Sequence, residues 1–185
     1  MQITHLARAA AASAPCGALV VPIFARSRDA ALTGLAAEID AALGGELAAL
    51  VADAGYLGKR GSTLSASTMG RIPARRVILA GLGPADALTE EALRAAYGAA
   101  ATAARDAAAT EVVAVLPDDA AMTLGHAVTG ASMATYRFLK HKGAHGGDAP
   151  RAIASIAFAS DLDPVAAAGV IAQATAVAGG VALAR

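Results

Sequence analysis

A chain of 185 residues with 56% hydrophobic and 16% charged side chains is long enough to bury a core as one domain and too apolar to stay disordered. Its 15 Lys plus Arg balance 15 Asp plus Glu, which removes the electrostatic pull of a dedicated nucleic-acid binder, and 3% aromatic residues with no Trp leave few rings for stacking bases. The single Cys16 excludes an internal disulfide and a cysteine-paired metal site, and fits a reduced, cytoplasmic setting.

Apolar residues at 9–14 and 19–21 carry a weak resemblance to a secretory core, but the first eight residues lack a basic start and Pro15 and Gly17 interrupt the run, so no targeting signal is expected. Strand-like runs follow at 18–24, 62–69, 76–80, 111–116 and 152–159, several of them β-branched and apolar on both faces, as buried parallel strands are. Helix-period segments fall between them. Thr33 is placed to cap one through Leu35, Ile39 and Leu43. Thr89 caps a second, with Glu90 and Glu91 suiting the positive end of its dipole and Leu93, Tyr97 and Ala100 on one face. A third is predicted over 119–138. Short connections at 81–86 and 117–119 complete an alternation that predicts a layered α/β domain, helices on a mostly parallel or mixed sheet. The glycine-rich stretch 142–150 reads as a surface loop.

No charged side chain occurs from Pro164 to Ala184. As a helix the run is about 30 Å long, enough for a bilayer core. Its bulk, however, is Ala and Gly, with Gln173 and Thr175 in the middle, so insertion gains little and a buried or partner-packed helix outside the membrane is the reading. Asp161 or Asp163 supplies its N-cap and Pro164 its first turn. Such a run needs a partner. The expectation is a domain over 1–162 and, over 163–185, a helix that connects to a further domain of a longer protein.

Each chemical motif meets an objection. Gly81-Leu82-Gly83 lacks the third glycine of a dinucleotide fingerprint and is followed by Pro84, so it reads as a strand-to-helix turn. The stretch 58–62 lacks the spacing of a phosphate loop and leads into a strand; it reads as a basic connecting turn. His141 and His145 stand four apart, but Gly143, Gly146 and Gly147 oppose a helix and only Asp148 is near as a third ligand. His5 and His126 read as ordinary strand or helix residues. Ser132, in Gly130-Ala-Ser-Met-Ala134, lies inside a predicted helix, where its hydroxyl is expected to bond the preceding turn. Arg137, Lys140, Lys142 and Arg151, with Arg75, Arg76, Lys59 and Arg60 elsewhere, form a solvated face unless folding gathers them into an anion or nucleic-acid patch. No residue is assigned a catalytic, cofactor-binding or metal role.

The order of features carries a resemblance: an early strand ending Val20-Val21-Pro22-Ile23-Phe24, the turn at 58–61, Arg76-Val-Ile-Leu-Ala-Gly-Leu-Gly83, the Thr89-Glu-Glu-Ala-Leu-Arg94 helix start, Tyr136-Arg137-Phe138, and a closing Ala/Gly helix ending Gly180-Val-Ala-Leu-Ala-Arg185. The chain is similar to the amino-terminal domain of the leucyl (cytosol) aminopeptidases. That resemblance implies a macro-like α/β fold whose last helix leads into a carboxy-terminal catalytic domain. There two divalent metals, manganese, zinc or magnesium, would polarise the peptide carbonyl and supply a hydroxide nucleophile. It also implies a homo-hexamer, a peptide substrate bound elsewhere than in these residues, and no membrane partner. The family's Asn-x-Pro-x-Asn stretch and Asn-Thr-Asp-Ala-Glu-Gly-Arg metal motif have no match here. The implied role is an accessory and assembly domain of a metallo-aminopeptidase. An alternative of another class is a free-standing macro-type module holding ADP-ribose or a related nucleotide in a cleft at Gly81 and Gly83. DNA binding, known among some bacterial relatives, is a third reading, against which the balanced charge stands.

Overall fold

In a computed structural model, which describes residues 1–118, 120–135 and 152–183, the β-branched runs pair into one six-stranded sheet. Its strands are β1 (Gln2–Ala7), β2 (Ala18–Phe24), β3 (Thr63–Ser67), β4 (Arg76–Gly83), β5 (Glu111–Val115) and β6 (Ser155–Ser160). Their order is β1-β6-β5-β2-β4-β3; every pairing is parallel except β3 with β4. The helices are α1 (Leu35–Ala42), α2 (Glu46–Asp53), α3 (Glu90–Asp106), α4 (Ala121–Thr135) and α5 (Pro164–Leu183).

Successive strand residues point to opposite faces, and the apolar residues are divided accordingly. Ala18, Val20, Ile78, Ala80, Val112, Ala114, Ile156 and Phe158 pack with α3, α4 and α5. Leu19, Val21, Val77, Leu79, Val113 and Val115 pack with α1 and α2. The result is the three-layer α/β arrangement that the alternation predicts, with a mixed, mostly parallel sheet.

Alanine shapes the first core. Small side chains let α3 and α4 approach until a Cβ placed on Gly130 would lie 2.3 Å from the Arg94 carbonyl oxygen. Tyr97 is the large exception: its ring packs 6.1 Å from that of Phe158, centroid to centroid, and its hydroxyl donates to the Val115 carbonyl at 2.6 Å. Thr89 caps α3, accepting from the Ala92 amide at 3.2 Å.

Several expectations are corrected. Residues 2–7 form β1, an edge strand unread in the sequence because its polar Gln2, Thr4 and His5 leave no run of apolar residues; it pairs β6 in parallel and is part-exposed throughout. Thr33 caps nothing: Gly34, at φ 56°, precedes α1 with no side-chain cap. A second helix, α2, follows α1 across Gly44 and Gly45. The strand read as 76–80 runs on to Gly83. The third helix is described over Ala121–Thr135; 119 and 136–138 lie outside the described residues.

Asp163 is the cap of α5, its Oδ1 accepting from the Val165 and Ala166 amides at 3.0 Å each, while Asp161 pairs with Arg8 at 3.3 Å. α5 is long and apolar enough to cross a membrane. It buries one narrow stripe, Ala167, Ile171, Ala174 and Ala178, at helical spacing. Val165, on its other side, is 81% exposed, and Val177, at the flank of the stripe, 54%. The expected burial is therefore met by one face only.

Candidate functional site

Open α/β sheets place ligands beyond the carboxyl ends of their strands. Here that edge, where β2 ends at Phe24 and β4 at Gly83, is crossed by the chain's own turn at 58–62. The Gly61 amide donates to the Gly81 carbonyl (2.9 Å), Gly81 to Ser62 (2.8 Å), Gly83 to Gly58 (3.0 Å) and Ser62 to Lys59 (2.9 Å). A Cβ on Gly81 would sit 2.1 Å from the Lys59 carbonyl oxygen. Gly81 is thus a strand residue that lets a turn lie across it, not the strand-to-helix turn that its sequence suggests. These four amides are all engaged, and the turn covers both glycines, so the cleft imagined at Gly81 and Gly83 is filled by protein. The turn at 58–62 connects α2 to β3, as read.

The scattered cations do not converge. Arg60 lies beside Gly83 and Lys59 beside Gly81, whereas Arg75 and Arg76 stand at the opposite end of β4, about 23 Å from Gly83 at ~3.3 Å per residue. Arg137, Lys140, Lys142 and Arg151 lie outside the described residues, as do His141, His145, Asp148 and the loop at 142–150. Among the described residues no three His, Cys, Asp or Glu side chains come together as a metal site.

At the amino edge a cavity of about 830 Å³ is lined by Cys16, Ser67, Arg75, Arg76, Thr110 and Glu111 among others. Burial pushes the Cys16 thiol up, and the Glu111 charge pushes it further, so it stays protonated and a poor nucleophile or ligand at neutral pH. The Oγ of Ser132, in α4, is buried with no hydrogen-bond partner among the described residues; the expected bond to the preceding turn is not made. His5 accepts or donates at 3.0 Å to Ser160 Oγ across β1 and β6.

The outer surface between α4 and α5 holds a groove of about 430 Å³, lined by Arg94, Met122, Gly125, His126, Gln173 and Val177 among others. His126, read as an ordinary helix residue, belongs to a polar cluster at its rim. Arg94 Nη1 lies 2.8 Å from His126 Nδ1, and His126 Nε2 lies 3.4 Å from Glu90 Oε2. A guanidinium can only donate, so Nδ1 accepts and Nε2 carries the proton toward the carboxylate. The i,i+4 spacing of Glu90 and Arg94 was a visible signal of half this cluster; His126 joins only because α3 and α4 pack. An apolar groove with a polar rim on an open helix face suits a protein partner more than a small polar substrate.

Comparison with known proteins identifies the family and the fold. The cytosol aminopeptidase family, N-terminal domain, matches residues 20–144. The chain is 34% identical over 108 residues to a probable cytosol aminopeptidase of Geotalea uraniireducens, covering 57% of this chain and 22% of that one. It is 35% identical over 132 residues to another of Alkalilimnicola ehrlichii, covering 68% and 26%. It thus spans about a quarter or less of the length of these curated relatives. A tomato leucine aminopeptidase mutant has the same fold, with a TM-score of 0.79 at 20% identity over 98% of this chain and 36% of its own. A bottromycin maturation enzyme in complex with Mn superposes with a TM-score of 0.66 at 19% identity, covering 91% and 31%.

Proposed function

The chain belongs to the cytosol aminopeptidase family, to its amino-terminal domain, and from that premise we propose that it is the non-catalytic accessory domain of a dinuclear-metal leucyl aminopeptidase. The parent enzyme, cytoplasmic and hexameric in this reading, removes amino-terminal residues from peptides with two divalent metals, manganese, zinc or magnesium. Metals and peptide are held by its catalytic domain. These residues serve assembly and shape access to that domain.

The observation that carries the reading is α5, a twenty-residue uncharged helix that buries one stripe, leaves Val177 open along the α4–α5 groove and leaves Val165 exposed on the face away from the stripe. Support also comes from the small share of its relatives' length that the chain covers. A neighbour of the same fold solved with Mn fits the metal assignment of the parent.

The test is hydrolysis of leucyl p-nitroanilide with added manganese, a longer family member serving as positive control. The chain is expected to give no turnover above buffer. Metal-dependent turnover approaching that of the control refutes the accessory role.

A further inference from the structure

Arg26 is the anomaly at the carboxyl edge of the sheet. Its backbone is clamped: the Ala25 amide donates to the Gly83 carbonyl at 2.7 Å and the Arg26 amide to the Leu57 carbonyl at 3.1 Å. Its side-chain Nε and Nη1 are shut off from solvent and have no hydrogen-bond partner among the described residues. A guanidinium has donors and no acceptor, so buried donors without a partner carry the full cost of lost hydration. Natural proteins seldom leave that cost uncompensated, and an unseen ion is one standard compensation.

The neighbouring segments carry more cations than anions. Arg28 lies two residues on, followed by the exposed Asp29, and Lys59 and Arg60 stand in the turn that starts beyond Leu57; these three cations are exposed, and none of the three, nor Arg26, has an ion-pair partner among the described residues. Arg26 as a residue is part-exposed, so its side chain reaches the surface although Nε and Nη1 do not. The place is the edge at which open α/β sheets receive ligands. It is distinct from Gly81, whose space the turn fills.

We infer that Arg26 is the anchor of an oxyanion site, for inorganic phosphate or the phosphate group of a small metabolite, with Arg28, Lys59 and Arg60 supplying the outer charge. A planar guanidinium matches a tetrahedral oxyanion through parallel N–H donors. Several cations without a carboxylate partner favour a dianion over a singly charged carboxylate or halide.

The experiment follows the Arg26 Nε–Hε resonance and the thermal midpoint of the chain during titration with sodium phosphate, against chloride and acetate at matched ionic strength. Phosphate should move the resonance saturably and raise the midpoint by roughly 3–6 °C at about ten times Kd. Arg26→Gln, which lacks that resonance, should abolish the midpoint response and, without phosphate, be at least as stable as the parent chain, because it removes buried guanidinium donors that have no partner among the described residues. Arg26→Lys should retain a weakened response. The inference is overturned by an equal midpoint rise with chloride or acetate, by an undiminished rise in Arg26→Gln, or by a loss of stability in that variant without phosphate, which would reveal an internal partner. A duplex oligonucleotide that binds tightly at low salt and displaces phosphate would assign the site to nucleic acid and overturn the small-ligand claim.

Discussion

Gly130→Ala tests whether α3 and α4 are held together by close approach. The new methyl would lie 2.3 Å from the Arg94 carbonyl oxygen and 2.7 Å from its Cα, and these are backbone atoms that no side-chain rotation can clear. The helices must part by ~1 Å, and a gap of that size forfeits a quarter to a half of each dispersion contact along the seam. Residues losing contact include Leu93, Ala96, Tyr97, Leu124, Ala127 and Ala131, all buried in the first core. Overpacking of this kind costs about 1–3 kcal/mol, here toward the upper end. Against it stands a gain of about 1 kcal/mol, because alanine is the better helix former. The net expectation is a loss of about 2 kcal/mol, which lowers the midpoint of a domain this size by roughly 4–8 °C. Gly125→Ala, on the same helix, is the control: its methyl meets Val170 Cγ1 at an ordinary 3.6 Å, so it should raise the midpoint. Thermal and urea unfolding of both variants measure the difference. A Gly130→Ala chain as stable as its parent would show that the seam has slack, and the account of an alanine-packed core would fail.

Asp163→Ala removes a carboxylate that accepts from two amides of the first turn of α5, and should cost about 1 kcal/mol in urea unfolding; an unchanged midpoint would mean that this turn is frayed. Tyr97 gives a pH prediction. Burial, and then the nearby Asp118 charge, push its phenol well above the ordinary value of 10.0. An acid whose pKa is raised by folding leaves stability intact below the unfolded pKa and loses it above, here by about 1.4 kcal/mol for each pH unit beyond 10. Tyr97→Phe should be less stable than the parent at pH 7, since the Val115 carbonyl loses its donor, yet show a shallower decline above pH 10. Parallel declines in the two proteins would contradict the assignment.

What could be read from the chain followed the range of the interactions that decide each element. β2, β5 and the start of β4 were legible because β-branched runs buried on both faces announce themselves locally. The cap at Thr89 was legible for the same reason, and that of α5 as one of Asp161 and Asp163, since a cap acts within three residues. Gly81 was misread because its need for a bare Cα arises from a turn twenty residues upstream, and glycine in isolation signals a turn of its own. β1 was missed because an edge strand needs only one good partner, which β6 supplies from 153 residues away. The His126 cluster and the orphaned Arg26 donors depend likewise on how distant segments pack, and no periodicity marks them.

Glycine placement also bears on the proposed role of α5. In α3 and α4, Gly98 and Gly130 sit where backbones touch, with a Cβ on Gly98 only 3.2 Å from the Gly130 carbonyl oxygen. In α5, Gly169, Gly179 and Gly180 have nothing among the described residues within 4 Å of a would-be Cβ. Each costs about 1 kcal/mol against alanine in a helix interior and returns no packing among the described residues. A backbone approaching from a neighbouring domain would supply the return, as it does at the α3–α4 seam. Changing all three to Ala therefore has two expected readouts: urea unfolding of this chain gains about 2–3 kcal/mol, while the corresponding change in a full-length family enzyme weakens assembly, visible as a lower oligomer fraction on size-exclusion chromatography. A gain in the isolated chain with undisturbed assembly would leave the glycines without a partner and remove this support for an interdomain surface on α5.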